Sequence, residues 1–279
     1  MACALTRASR RTRKNRAPPS ASLGGIALNS SDITDEITLR QPAHWGFWGT
    51  VIWGAVISVI FIVLQTITIF VAVVSRNGNL SQSALEQLFI SAVGNGHFIS
   101  LATFVTTVVC CGLIVGVIKL KKGSVLSEYL CIRPVSPKTM LKWIGLLAGF
   151  IVVSDLITTS LGRPIVPDFM SVAYATANPV WTIWFALIIA GPLFEEIFFR
   201  GFLFKGFESS FMGPIGAVLV TAGLWAVIHV QYGAYEITTI LCLGLLLGTA
   251  RVLTGSLLVP LGLHAASNLV ATIEAAVLG

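Results

Sequence analysis

Charged side chains are scarce in this sequence. Only 11% of its 279 residues are Asp, Glu, Lys or Arg, whereas 55% are hydrophobic, and the mean hydropathy is +0.87. Soluble domains carry about 25% charged residues, so this composition excludes an ordinary soluble protein. It predicts an all-α bundle that crosses a lipid bilayer several times. The net charge of +6 does not indicate a nucleic-acid partner, because the basic residues flank the apolar segments.

Sequence motifs of several hydrolase classes are also lacking. The chain contains neither G-x-S-x-G nor H-E-x-x-H, and no serine stands where a nucleophile would be expected. These absences argue against an acyl-enzyme route and against a zinc site built on a single helix. The five cysteines have no metal-ligand spacing either.

Apolar stretches long enough, or nearly so, to cross a bilayer are present instead. We therefore expect about seven to eight spans in one transmembrane domain over residues 45–279. Small residues near the end of the chain (Gly244, Gly248, Gly255 and Gly262) allow the close helix packing that is typical of membrane proteins. Seven stretches lie at about 47–74, 98–118, 141–161, 180–208, 213–233, 236–253 and 257–276.

Basic residues set the expected orientation. Residues 1–44 are polar, and their first six charges are all positive, which predicts a disordered cytoplasmic tail, with a targeting peptide as the alternative. If the N-terminus is cytoplasmic, only Arg76 and Arg163 of the 18 Lys and Arg residues fall on the other side. We expect a multi-pass protein of the plasma (inner) membrane, and seven spans would place its C-terminus outside.

The fourth apolar stretch contains three charges within six residues, at Glu195, Glu196 and Arg200. Charges inside a membrane are costly and usually functional. Residues four apart on a helix are neighbours, whereas adjacent residues point about 100° apart. The spacing therefore predicts a structural pair between Glu196 and Arg200. It leaves Glu195 without a local partner, as a candidate general base or acid.

Two histidines are embedded in the apolar segments that follow. Glu195 and His229 are equally far from Met212, which lies in a turn-like run, so an antiparallel hairpin should bring them to the same depth. His264 and Asn268 are four residues apart and share one face of the last span. Both can donate hydrogen bonds to one point, as an oxyanion site requires; metal binding or helix–helix bonding are the alternatives. Asp155, alone in the third span, either faces the same cavity or pairs with a neighbouring helix.

The three motifs together resemble a known family. The patterns E-E-x-x-x-R, aromatic-x-x-x-H and H-x-x-x-N are similar to those of the CPBP intramembrane proteases, which include the type II CAAX prenyl endopeptidases and bacteriocin-processing, Abi-type relatives. The resemblance covers about residues 140–276. One departure is Trp225, where the family more often has Phe; we interpret it as a packing variation. The matching residues are Glu195, Glu196, Arg200, Trp225, His229, His264 and Asn268.

The resemblance implies a role for each of these residues. Glu195 and His229 would activate the attacking water, and His264 and Asn268 would form the oxyanion hole. Glu196 and Arg200 would be supporting residues. Family members have often been called metalloproteases, and zinc or another divalent metal on Glu195, His229 and His264 is the alternative to the metal-independent chemistry that we favour.

The leading hypothesis is thus an intramembrane endopeptidase that cuts near the cytoplasmic side. Its partners would be the bilayer and a membrane-anchored, lipid-modified or leader peptide. Two other classes stay open. One is a proton-coupled carrier that uses the same carboxylate and histidines, although all of these lie in the C-terminal half without an inverted repeat. The other is a non-catalytic membrane scaffold or immunity protein.

Overall fold

The computed structural model describes residues 43–77 and 81–278. The tail predicted over residues 1–44 therefore lies almost wholly outside the described residues. Within the described ranges the regular structure is helical. The helices, numbered in chain order, are α1 (Phe47–Asn77), α2 (Gln82–Val93), α3 (Gly96–Leu120), α4 (Leu126–Tyr129), α5 (Pro137–Ser160), α6 (Asp168–Thr176), α7 (Trp181–Glu208), α8 (Gly213–Val227), α9 (Ala234–Thr254) and α10 (Leu258–Leu278).

Six of these helices are long and apolar enough to cross a membrane, namely α1, α3, α5, α7, α9 and α10. The predicted helical membrane bundle is confirmed. The span expected at 213–233 is wrong in length, because α8 ends at Val227 and the chain up to Gly233 is not helical. Its 15 residues reach about 22 Å, less than the hydrocarbon thickness of about 30 Å. The short helices α2, α4 and α6 were not predicted.

Helix α7 lies at the centre of the bundle and departs from ideal α-geometry twice. Two segments, Ala186–Ala190 and Glu196–Leu203, are π-helical, and they flank the residue Glu195. Every side chain from Phe198 to Phe204 is buried. π-Helical turns of this kind are frequent at functional sites.

Glycine allows α8 and α9 to approach closely, as the sequence predicts. A Cβ on Gly244 would lie 3.1 Å from the Trp225 ring and 3.3 Å from the Cα of Ala222, and one on Gly248 would lie 3.0 Å from Val218. Gly255 has a different role, because it caps the C-terminus of α9. Its φ of 62° lies in the left-handed region, which glycine adopts readily.

The two ends of the bundle differ in charge. Lys121 lies over the Trp45 ring at 5.3 Å, which joins the end of α3 to the start of α1. Burial lowers the pKa of His44, with smaller contributions from nearby Lys205 and Lys121, so the end of α7 lies there too. We call this the basic end; it carries Lys119, Lys121, Lys122, Arg133, Lys138, Lys142 and Lys205.

At the opposite end, α1 finishes near the start of α3 and α5 finishes near the start of α9. Arg76 lies 5.9 Å from the Phe98 ring, and Arg163 forms an ion pair of 3.5 Å with Glu236. The orientation of these two ends in the membrane stays a prediction from charge.

Candidate active site

The supporting pair occupies the buried side of α7. Nη1 of Arg200 lies 2.8 Å from Oε1 of Glu196, and both side chains are fully buried. Arg200 also donates to the backbone oxygen of Gly244 at 3.2 Å and lies 4.5 Å from the Trp225 ring. The pairing expected from the spacing is present, and it ties α7 to α8 and α9.

Glu195 faces a cavity from the other side of α7. Its Oε2 accepts a hydrogen bond from the indole N–H of Trp225 and lies 3.9 Å from Nε2 of His264. Within α7 no hydrogen bond or ion pair to the Glu195 side chain is present among the described residues, as the spacing predicts; its partners come from α8 and α10, which spacing within one helix cannot show. Trp225 is also more than a packing variation, since phenylalanine has no N–H to donate.

His229 lies two residues past the end of α8. Its Nδ1 donates to the backbone oxygen of Trp225 at 2.7 Å, which leaves Nε2 to accept a proton. Among the described residues, no hydrogen bond or ion pair joins His229 to Glu195, although both line the same cavity. The equal-depth argument assumes a continuous helix, and α8 ends two residues before His229. The two groups are instead connected through Trp225, which bonds Glu195 with its side chain and His229 with its backbone.

His264 lies deepest in the site and contacts both carboxylates. Its Nδ1 is 2.9 Å from Oε1 of Glu196, and its Nε2 points toward Glu195. The Trp225 ring meets the His264 ring edge to face, with centroids 5.1 Å apart. The contact with Glu196 gives the supporting pair a definite role, because it fixes the orientation of the His264 ring.

Asn268 lies one turn beyond His264 on α10. Its Nδ2 donates to the backbone oxygen of Leu187 at 2.7 Å, in the first π-helical segment of α7. One amide N–H is thereby committed to holding the side chain in place. The second N–H of the amide group is left to act on a ligand in the cavity.

The cavity that these residues share has a volume of about 630 Å³. Its walls come from all six long helices, from α2, α6 and α8, and from the connections between helices. Asp155 lines it, as one of the two sequence interpretations expected. Sequence reasoning missed Tyr174, Tyr232 and Glu274, which line it as well. Burial raises the pKa of Tyr232 and of Tyr174, so both phenols are neutral hydrogen-bonding groups.

The arrangement does not fit a three-ligand metal site. Within the described ranges, no three His, Cys, Asp or Glu side chains converge closely enough to hold an ion. We therefore derive no step through a metal.

Comparison with known proteins supports the resemblance read from the motifs. Residues 176–270 match the family model described as type II CAAX prenyl endopeptidase Rce1-like, and this segment contains every residue described above from Glu195 to Asn268. The matched segment is similar to the CAAX prenyl endopeptidases. The predicted resemblance is thus confirmed over that segment.

A curated relative is the uncharacterized protein YyaK of Bacillus subtilis (strain 168). It is 30% identical over 147 residues, which cover 48% of this chain and 49% of that protein. The chain therefore spans about half the length of the curated relative it matches. No solved structure matches this chain.

Proposed function

We propose that this protein is an intramembrane endopeptidase that hydrolyses a peptide bond with water activated by Glu195 and His229. The observation that carries the proposal is the single cavity that Glu195, His229, His264 and Asn268 all line. The match of residues 176–270 to the CAAX endopeptidase family model supports the same chemistry. Substrates would be membrane-anchored, lipid-modified or leader peptides, because the cavity lies among membrane-spanning helices.

In the proposed reaction, Glu195 and His229 handle the protons of the attacking water. Glu195 accepts a proton from water while the water oxygen attacks the peptide carbonyl carbon. His229, through its free Nε2, shares this work as a second proton acceptor. The carbonyl oxygen becomes an oxyanion, and the proton is then delivered to the leaving amine as the carbon–nitrogen bond breaks. No covalent intermediate with the protein is formed.

Asn268 and His264 would stabilise the oxyanion. The second amide N–H of Asn268 is available for this purpose. His264 donates from Nε2 only when both ring nitrogens carry protons, because its Nδ1 already faces Glu196.

The test is proteolysis by the purified protein in detergent or liposomes. A panel of prenylated and leader peptides is incubated with the wild type, Glu195→Gln and His229→Ala, and products are identified by mass spectrometry. Glu86→Gln, on α2 and away from the cavity, is the matched control. We expect cleavage by the wild type and the control, and at least a 100-fold loss in both site variants.

The same assay is repeated in the presence of a metal chelator. Since the site residues do not converge as metal ligands, we expect the cleavage rate to be unchanged after chelation. A rate lost with chelator and restored by zinc would contradict the roles assigned to the two histidines.

A further inference from the structure

The cavity is displaced toward the end of the bundle opposite the basic end. Its wall includes Asp155 and Thr158 near the end of α5, the connection 164–167, the run 228–232 and Glu274 near the end of α10. None of the seven lysines and arginines that define the basic end lines it. The cavity thus runs from Glu195, near the middle of α7, to the opposite end.

The shortness of α8 creates this opening. Gly244 lies beside Ala222 and Gly248 beside Val218, so the end of α8 is level with about Thr239 of α9. Helix α9 therefore continues about five residues, or about 7.5 Å, past α8 toward the opposite end. The non-helical run that fills this level lines the cavity, which is where irregular backbone is tolerated at membrane depth.

Exposure along the cavity shows where it opens. His264 and Glu195 at its inner end have side chains 4% and 23% exposed. Val230, in the run after α8, is 81% exposed, and Gln231 beside it is exposed as well. The mouth is therefore formed by the run after α8 and the connection that precedes α6.

The charge asymmetry assigns a side of the membrane to this mouth. Positive residues in short connections are retained on the cytoplasmic side. Seven described basic residues lie at the basic end, and seven further ones precede α1 in the sequence, whereas Arg76 and Arg163 are the two at the opposite end. The basic end is thus the cytoplasmic one, and the cavity mouth lies on the other side.

We propose that the active-site cavity opens to the non-cytoplasmic face of the membrane. The substrate would be a membrane-associated peptide whose cleavage site is presented from that face, as in an exported or translocated segment. This inference rests on the proposed protease function for its substrate class. It replaces the expectation from the sequence that cleavage occurs near the cytoplasmic side.

The test is labelling of single cysteines in spheroplasts of an expression host, in a background whose five native cysteines are replaced. Gln231→Cys and Val230→Cys report on the mouth, and Lys122→Cys and Lys138→Cys report on the basic end. A membrane-impermeant maleimide is added before or after permeabilisation. We expect both mouth cysteines to be labelled in intact spheroplasts, and both basic-end cysteines only after permeabilisation.

Labelling of the basic-end cysteines from outside, or no labelling of the mouth cysteines from outside, would overturn the proposal. Two positions at each end guard against the failure of one variant to fold. The readout does not require catalysis, so it is independent of the proposed function. If Glu195→Gln cleaved peptides as fast as the wild type, the protease assignment would fail while the labelling result stood.

Discussion

Trp225 is the residue on which the site's geometry depends most. Its indole N–H holds Glu195, its backbone oxygen holds His229, and its ring contacts His264 and Arg200. Trp225 therefore holds the Glu195 carboxylate in one orientation in the cavity.

Trp225→Phe should keep the ring contacts and remove only the N–H donor. We predict about a 10-fold lower kcat, the size expected for losing a hydrogen bond to a charged group. The KM should change less than kcat, because the lost donor acts on Glu195 and not on the bound peptide. This difference separates the role from a purely structural one.

The other charged or titratable groups around Glu195 stay in place in that variant. They are Glu196 and Arg200 on α7, His264 on α10 and, after α8, His229 and Tyr232. Trp45→Phe is the matched control, since it removes an indole hydrogen bond to the backbone of Val117 away from the cavity. An unchanged kcat in Trp225→Phe would contradict the role assigned to Trp225.

Asn268→Ala tests the oxyanion role. We predict a loss of about 10²–10³ in kcat, the range measured when one oxyanion-hole donor is removed. Thr103→Ala is the control, because it changes a polar cavity-lining residue on α3 that has no assigned role. Steady-state kinetics should show a large fall for Asn268→Ala and a small one for Thr103→Ala; equal effects would contradict the assignment.

Arg200→Met should destabilise the fold as well as the site. It leaves the fully buried Glu196 carboxylate without its cation. Breaking a buried pair by removing one partner costs about 3–5 kcal/mol. Unfolding in detergent should show this loss. The double variant Arg200→Met, Glu196→Gln should recover part of it, and no recovery would argue against the pair as the cause.

At the scale of single elements, the close approach of α8 and α9 gives a further prediction. Gly244→Ala should destabilise the bundle by about 1–3 kcal/mol and displace Trp225, because the added Cβ meets the Trp225 ring and the Ala222 backbone. Gly223→Ala on α8 is the control, since open space surrounds its Cβ. Thermal unfolding should separate the two variants, and equal stabilities would contradict the close packing.

Some elements could be predicted from the sequence and others could not. Long apolar runs identify α1, α3, α5, α7, α9 and α10 because the bilayer demands length and hydrophobicity. The end of α8 could not be found, since apolar side chains still recur at Ile228, Val230 and Tyr232 and no proline interrupts the run. The π-helical turns of α7 likewise have no signal in the sequence.

The same contrast holds for the site. Spacing along one helix predicts the Glu196–Arg200 pair, because both partners belong to α7. Contacts between helices, such as Trp225 with Glu195 or Asn268 with Leu187, depend on how the helices rotate against each other. Hydropathy does not determine that rotation. The sequence therefore identifies the residues of the site but not the hydrogen bonds between helices.

At the scale of the whole molecule, one membrane bundle combines a basic end with a cavity at the other end. Tertiary packing places the mouth, whereas the charge pattern sets the expected orientation. Only the charge pattern can be read from the sequence, whereas the position of the mouth requires the structure. The side that we propose for the mouth therefore depends on both.

The central claim is that Glu195 activates water for peptide hydrolysis, and single-turnover kinetics tests it most directly. The protein is mixed in excess with a peptide that the wild type cleaves, and the cleavage rate constant is compared for the wild type, Glu195→Gln and the control Glu86→Gln. The account predicts a rate constant at least 100-fold lower for Glu195→Gln alone. A Glu195→Gln rate constant equal to that of the wild type would contradict it.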